Sequence, residues 1–503
     1  MLRRNSIIKT VPTLVFLFLL VGSLTAFDFS EIKNKITSFT LDNGMTFVVM
    51  EDHSAPVVSF ALQADVGGAD DPKEYTGLAH VFEHMAFKGT TEIGTKNWKK
   101  EKTCLEELDD LFYQIKREER KGNMANEEIL SDLRDRFKKQ QEECDQYVVD
   151  NEFPNIVERE GGVGLNAGTG YDNTTYFISL PSNKAELWFT LESSRFSEPV
   201  LRQFYKELEV IKEERRMTRE SSSQGRLIEE FLNAAYKAHP YGVPLIGHMS
   251  DINNMDKDAA MAFYHRYYVP SNLVAGIVGD VDPQEIKKLA EEYFGKISNA
   301  PKPGQPVTIE PEQKAEKRII MEDKSQPILI MSFHRPDGGD PDDAAFATAA
   351  DYLGQGRTSL LYESLVKEKK IATQVAAFES FPGNKYPTLF GIYVIPAKGF
   401  TAEECEAEVL AIIDKLKEES ISEEELVKVK ARAKSQLING LSSRQGLAYQ
   451  LAAFQTRYGD WNVLFDSLDD INAVTVDDVK RVVNQYFTHN NLTVGYIKTV
   501  DEG

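Results

Sequence analysis

Two of the chain's eight histidines stand four apart in His80-Val81-Phe82-Glu83-His84, with a glutamate beside the second. On a helix, residues i and i+4 share a face. His80 and His84 can therefore aim their imidazole nitrogens at one metal ion. Zinc suits such donors, at about 2.0–2.1 Å from nitrogen. Glu83 follows His80 by three residues and lies on the same side. A carboxylate there can take a proton from a zinc-bound water, whose pKa falls to about 7, and can return it to a leaving amine. A catalytic zinc site also needs a third protein ligand and keeps one position for water. The segment FYKELEVIKEERRM offers Glu207, Glu209, Glu213 and Glu214. Glu207 and Glu214 are two helical turns apart on one face. One can bind the metal while the other steadies a ligand.

These residues need a scaffold. A chain of 503 residues, 42% hydrophobic, has apolar material for more than one core. A net charge of -21 argues against nucleic acid as a partner, because phosphate binding needs clustered Lys and Arg. Residues 1–26 have a basic start (Arg3, Arg4, Lys9), a short apolar run over 11–22 and small residues before Ala26. That is the pattern of a secretory signal peptide. It predicts export to the periplasm or cell envelope, with an uncleaved anchor as the alternative. Cys104, Cys144 and Cys405 are too few for a disulfide framework. Cys104 and Cys144 pair if their helical segments form a hairpin; otherwise all are free thiols.

Asp42-Asn43-Gly44 between two apolar runs marks a hairpin, and APVVSFALQADVGG reads as a third strand. Residues 96–150 are charged and helix-favouring, with Leu105, Leu108, Leu111, Phe112 and Ile115 at helical spacing. They predict two amphipathic helices joined by GNMAN. GVGLNAGTGYDNTTYFISLP returns to strand, and residues 184–219 read as continuous helix. PKPGQPVTIEPEQ, residues 301–313, reads as a linker. YYVPSNLVAGIV resembles YFTHNNLTVGYI at a constant offset of 219 residues (486 − 267). The repeat predicts two α+β halves of similar fold, residues 27–300 and 314–503, on either side of that linker.

The motif GLAHVFEHMAFKGT, with LEVIKEE, HPYGVPLIGH and YYVPSNLVAGIVGDV, resembles the pitrilysin-like inverzincin peptidases, family M16, in their bacterial processing-peptidase-like branch. The resemblance covers most of the chain after the leader. It implies two homologous halves, each an antiparallel sheet with helices, closing as a clamshell around a peptide. It also implies a zinc endopeptidase in which His80, His84 and Glu214 bind Zn2+, Glu83 is the base and Glu207 is an accessory glutamate. GLNAGTGYDNTTYF resembles the strand beside the zinc helix. There Asn166, Ala167, Gly168 and Thr169 would hold a peptide added as a further strand. Two departures stand out. Residues 96–150 lengthen the usual span between His84 and Glu214. The arginine and tyrosine that active members carry in the second half fall here on Val366 and Thr373, with Arg357 and Tyr362 nearby but out of register. The resemblance then implies a hetero-oligomer with a member carrying that pair. A homodimer using other residues is the alternative.

Overall fold

The computed structural model describes residues 29–197 and 199–500. The expected signal peptide, residues 1–26, lies outside them, and no helix among the described residues is long and apolar enough to cross a membrane.

Among the described residues, eleven strands form two sheets. The first contains β1 (Ile36–Thr40), β2 (Thr46–Glu51), β3 (Val57–Ala64), β4 (Val163–Thr169), β5 (Thr174–Pro181) and β6 (Leu273–Gly279). Its order is β1-β2-β6-β3-β5-β4. The second contains β7 (Lys317–Asp323), β8 (Leu329–Arg335), β9 (Ala372–Phe381), β10 (Thr388–Pro396) and β11 (Leu492–Thr499), in the order β7-β11-β8-β10-β9. β2-β6-β3-β5-β4 and β7-β11-β8-β10-β9 are the same order read twice. Even the single parallel pair recurs, β2 with β6 and β7 with β11. Each sheet is thus antiparallel apart from one pair. The sequence repeat falls on β6 and β11, the last strand of each half.

Each sheet has its own helices on one face. Phe47, Phe60, Trp188, Phe189 and Phe294 fill the first core, and Phe333, Phe346, Phe390 and Phe487 the second. The opposite faces are covered by exchange. The helix Ser223–Ala235, in the first half, lays Leu227 and Phe231 against Ile330, Leu389 and Ile497 of the second sheet. The helix Arg444–Tyr458, in the second half, lays Leu447, Ala448 and Leu451 against Val48, Ala61 and Val274 of the first. Both helices start alike. Ser222 Oγ accepts from Gly225 N at 3.1 Å, and Ser443 Oγ from Gly446 N at 3.0 Å. Gly276 on β6 and Gly495 on β11, the same position of the repeat, make room for them. A Cβ on Gly276 would lie 2.1 Å from Ala448 O, and one on Gly495 would lie 2.7 Å from Phe231 Cδ2.

Residues 184–219 are not one helix. They form Ala185–Ser197 and Phe204–Arg215, followed by a π-turn at Arg216–Glu220. Pro199 falls in the break, and Gln203 restarts the chain from the left-handed region at φ 56. Residues 96–150 form the predicted hairpin, Trp98–Glu119 against Glu127–Asp145. Cys104 and Cys144 are joined across it, with Cα atoms 5.6 Å apart, while Cys405 is free and buried.

Candidate active site

The helix Leu78–Met85 buries Leu78, Ala79, Val81, Phe82 and Met85 in the first core. That leaves His80, Glu83 and His84 on its remaining face. Its N-cap, Gly77, has no side chain to cap with, and a Cβ there would strike Ile246 O at 2.6 Å. Asp71 takes over the capping. Its carboxylate accepts from Gly77 N at 2.7 Å and Ala79 N at 2.9 Å. Thr76 Oγ1 donates to Asp251 at 2.6 Å and accepts from His248 N at 2.8 Å. The segment HPYGVPLIGH is therefore part of the seat of this helix.

The helix Phe204–Arg215 faces it and decides among the four glutamates. Glu214 Oε2 lies 3.3 Å from His84 Nε2, and Glu214 Oε1 lies 3.6 Å from His80 Nε2. The metal-capable atoms of His80, His84 and Glu214 are all within 4.8 Å of one another. Tetrahedral zinc at about 2.0–2.1 Å separates its ligand atoms by roughly 3.3 Å, so the donor set fits that ion. Glu209 and Glu213 point outward and pair with Lys212 and Arg216. Glu207 is buried and takes the supporting place. Its Oε1 is 3.1 Å from His84 Nδ1, and its Oε2 is 2.5 Å from Lys88 Nζ. This fixes the His84 ring and leaves Nε2 to face Glu214.

Electrostatics point the same way. Burial works against a proton on His84, but Glu207 and Glu214 outweigh it and raise its pKa to about 9. Burial and the neighbouring His84 lower that of His80. The hydrogen bond from His84 lowers Glu214 against the effect of burial. Burial also opposes ionisation of Glu207, yet His84 and Lys88 bring its pKa below the usual value. Two ionised carboxylates around the histidine pair are an environment that favours a dication.

The Glu83 side chain makes no hydrogen bond or ion pair among the described residues. It lines, with His84, a cavity of about 540 Å³ whose far wall is the chain leaving the helical hairpin, Val148 to Phe153. The hairpin is pinned there by Arg202, 1% exposed, whose Nε donates to Glu101 at 2.5 Å. The Arg202 guanidinium also donates to the carbonyls of Lys88, Thr90 and Ile93, just past the histidine helix.

β4 is an edge strand beside that helix. It pairs with β5 from Asn166↔Phe177 to Thr169↔Thr174. Gly170 N donates to Asn173 O in the same hairpin. By antiparallel alternation, Asn166 and Gly168 turn their backbone groups to β5, and Ala167 and Thr169 turn theirs to the open edge. The Ala167 N–H is meanwhile held by Asn166 Oδ1 at 2.9 Å.

Among the described residues, the second half brings no arginine–tyrosine pair to this edge. Val366 packs against the second core beside Tyr362, Thr373 Oγ1 donates to Ile395 O, and Arg357 is exposed. What reaches β4 is Gln445, whose Nε2 donates to Gly164 O at 3.4 Å. Sequence reading missed Asp71, Lys88 and Gln445. Lys88 carried a signal, standing one helical turn beyond His84. Asp71 was hinted at only by a helix start lacking a capping side chain.

A family model described as "Insulinase (Peptidase family M16)" matches residues 46–109, and one described as "Peptidase M16 inactive domain" matches residues 254–433. Two separate stretches of the chain thus match models of peptidase family M16. The zinc protease PqqE of Helicobacter pylori is 28% identical over 92% of this chain and 93% of its own. The probable mitochondrial-processing peptidase subunit beta of Arabidopsis thaliana is 22% identical, over 92% of this chain and 78% of its own. A crystal structure of a protease from Helicobacter pylori superposes with a TM-score of 0.77 at 26% identity, covering 92% of this chain and 99% of that one. The M16 fold therefore accounts for both sheets, and the "inactive domain" description falls mostly on the half without the histidine pair.

Proposed function

We propose that this chain is a zinc-dependent endopeptidase acting on extended peptides in the cell envelope. The observation that carries this is the convergence of His80, His84 and Glu214 on one point, with Glu83 uncommitted beside them on an open cavity. Zinc held by the three residues supplies Lewis acidity for the scissile carbonyl and an acidified water. Glu83 accepts the proton of the attacking water and delivers it to the departing amine. The open edge of β4 holds the peptide through Ala167 and Thr169, reading backbone rather than sequence. Relatives named as zinc proteases support the choice of metal. The leader and the Cys104–Cys144 disulfide support export, since disulfides persist in oxidising compartments.

The test is a pair of variants with metal analysis and peptide cleavage. His84→Ala loses both zinc and cleavage. Glu83→Gln keeps zinc and loses cleavage by about 10²-fold or more. Normal turnover by Glu83→Gln sinks the mechanism.

A second reading is favoured by Val366, which has no side-chain donor, and by Thr373, whose short hydroxyl is already given to Ile395 O, at the positions where the resemblance expects arginine and tyrosine. Here the chain is the zinc-bearing subunit of a hetero-oligomer, and a second M16 chain presents that pair. A homodimer is the rival. The isolated zinc-loaded chain then cuts a flexible peptide poorly and regains turnover when mixed with such a partner. Full turnover alone excludes this assembly.

A further inference from the structure

A second hollow, of about 910 Å³, opens where the two halves meet, and it shares no lining residue with the cavity beside Glu83. The first half gives it Gln63, near the end of β3, and the turn between β4 and β5. The second gives it the end of the helix Arg444–Tyr458, the helix Val463–Ala473 and the loop before Asp343. Seven aspartates and three basic side chains line it. The basic groups are all committed: Lys385 to Asp65, Arg481 to Asp342 at 2.7 Å, and Arg457 to the carbonyl of Asn384. Lys302 and Arg335, outside the lining, pair with Asp65 and Asp343. The acceptors are not all committed. On β3, Phe60 and Leu62 face the first core and Ala61 faces the helix Arg444–Tyr458, so alternation turns Gln63 to the hollow's side. Gln63 is 1% exposed, and its Oε1 has no partner. Asn384 Oδ1 is buried without a partner as well. A buried amide oxygen left in this way costs free energy until a donor reaches it. Nearer to solvent, the Asp470 side chain is exposed and makes no hydrogen bond or ion pair among the described residues. Phe454, Val463 and Ile471 supply an apolar stretch of wall.

We propose that this hollow binds a linear alkylammonium cation, whether a free polyamine or lysine side chains of the same chemistry. Its amino groups donate to Gln63 Oε1 and Asn384 Oδ1 inside and pair with Asp470 at the opening. Its methylenes lie along Phe454, Val463 and Ile471, as the stems of long cationic side chains do on apolar surface. An anion is refused, because every basic group on the wall already has a partner. A bare metal ion is refused too, because the described residues gather three metal-capable side chains only at His80, His84 and Glu214. A chain with a donor at each end suits acceptors that are buried at one end of the hollow and exposed at the other. The site stands apart from the zinc centre and does not depend on the endopeptidase reading.

The experiment is calorimetric titration of the zinc-loaded full chain with spermidine and, separately, with tetralysine. Three variants accompany the wild type: Asp470→Asn, Gln63→Leu and, as a control, Asp469→Asn. Asp469 is an exposed neighbour that does not line the hollow. The expected result is saturable binding at one site, weakened about tenfold or more by Asp470→Asn and by Gln63→Leu and unchanged by Asp469→Asn. Spermidine binding alone assigns the site to a free polyamine. Tetralysine binding as tightly, with the same response to the variants, assigns it to lysine side chains. If neither probe binds saturably, the proposal is wrong. If Asp469→Asn and Asp470→Asn weaken binding equally, the probes are merely drawn to an acidic surface, and the proposal is again wrong. Gln63 is buried, so its variant is checked by its melting temperature. Should that variant fail to fold, Asp470→Asn decides by itself, and unchanged binding there overturns the site.

Discussion

His84 Nε2 holds a proton or a metal, never both. In metal-free protein the two carboxylates favour the proton, with a folded pKa of about 9 against an ordinary 6.5. A raised pKa means stability that is complete below pH 6.5 and drains away as pH rises through 9. The melting temperature of metal-free protein should therefore fall across that window, and zinc loading should flatten the fall. Parallel curves with and without zinc would show that His84 is not the group responsible. Glu207 acts one bond further out. Glu207→Gln should weaken zinc binding by about 10–100-fold without abolishing it, as read by chelator competition. Glu213→Gln, on an outward residue paired with Arg216, should leave zinc affinity unchanged. Periodicity alone made the His80–His84 face legible, because the spacing of the motif already defines it. It could not choose between the adjacent Glu213 and Glu214, and only the family resemblance chose.

The helical hairpin over residues 96–150 was legible as helices but not as a wall. Its leucines predicted an amphipathic pair, and Leu111, Ile115, Leu130 and Leu133 do form a small core of their own. Its placement depends on contacts distant in sequence. Phe112 stacks on Tyr205 at 4.5 Å, Asp109 accepts from Tyr205 Oη at 3.0 Å, and Glu101 meets Arg202. No local pattern announces such partners. The break at Pro199 was missed for the opposite reason, since helix-favouring neighbours on both sides outweighed one proline. The disulfide closes 40 residues of chain. Replacing both cysteines with serine should cost about 2–4 kcal/mol, measured by denaturant unfolding. The loss should come first from the hairpin, seen as faster proteolysis between Glu119 and Glu127.

At the scale of the molecule, the repeat in β6 and β11 predicted two related halves, and the sheet orders bear that out. The exchange of helices was invisible in the chain, because Ser223–Ala235 and Arg444–Tyr458 read as ordinary amphipathic helices whichever sheet they cover. The two glycines under them should differ in tolerance. Gly276→Ala drives a methyl into the backbone carbonyl of Ala448, whereas Gly495→Ala meets the movable ring of Phe231. Overpacking costs about 1–3 kcal/mol, and the Gly276 variant should lie at the upper end in thermal unfolding. Clasped in this way, the halves do not depend on the tether that joins them. Val307 and Ile309 stand 92% and 81% exposed on it, where a protease can cut. A molecule severed there should still migrate as one particle and keep its zinc, and a gene broken at the same point should yield two polypeptides that find each other.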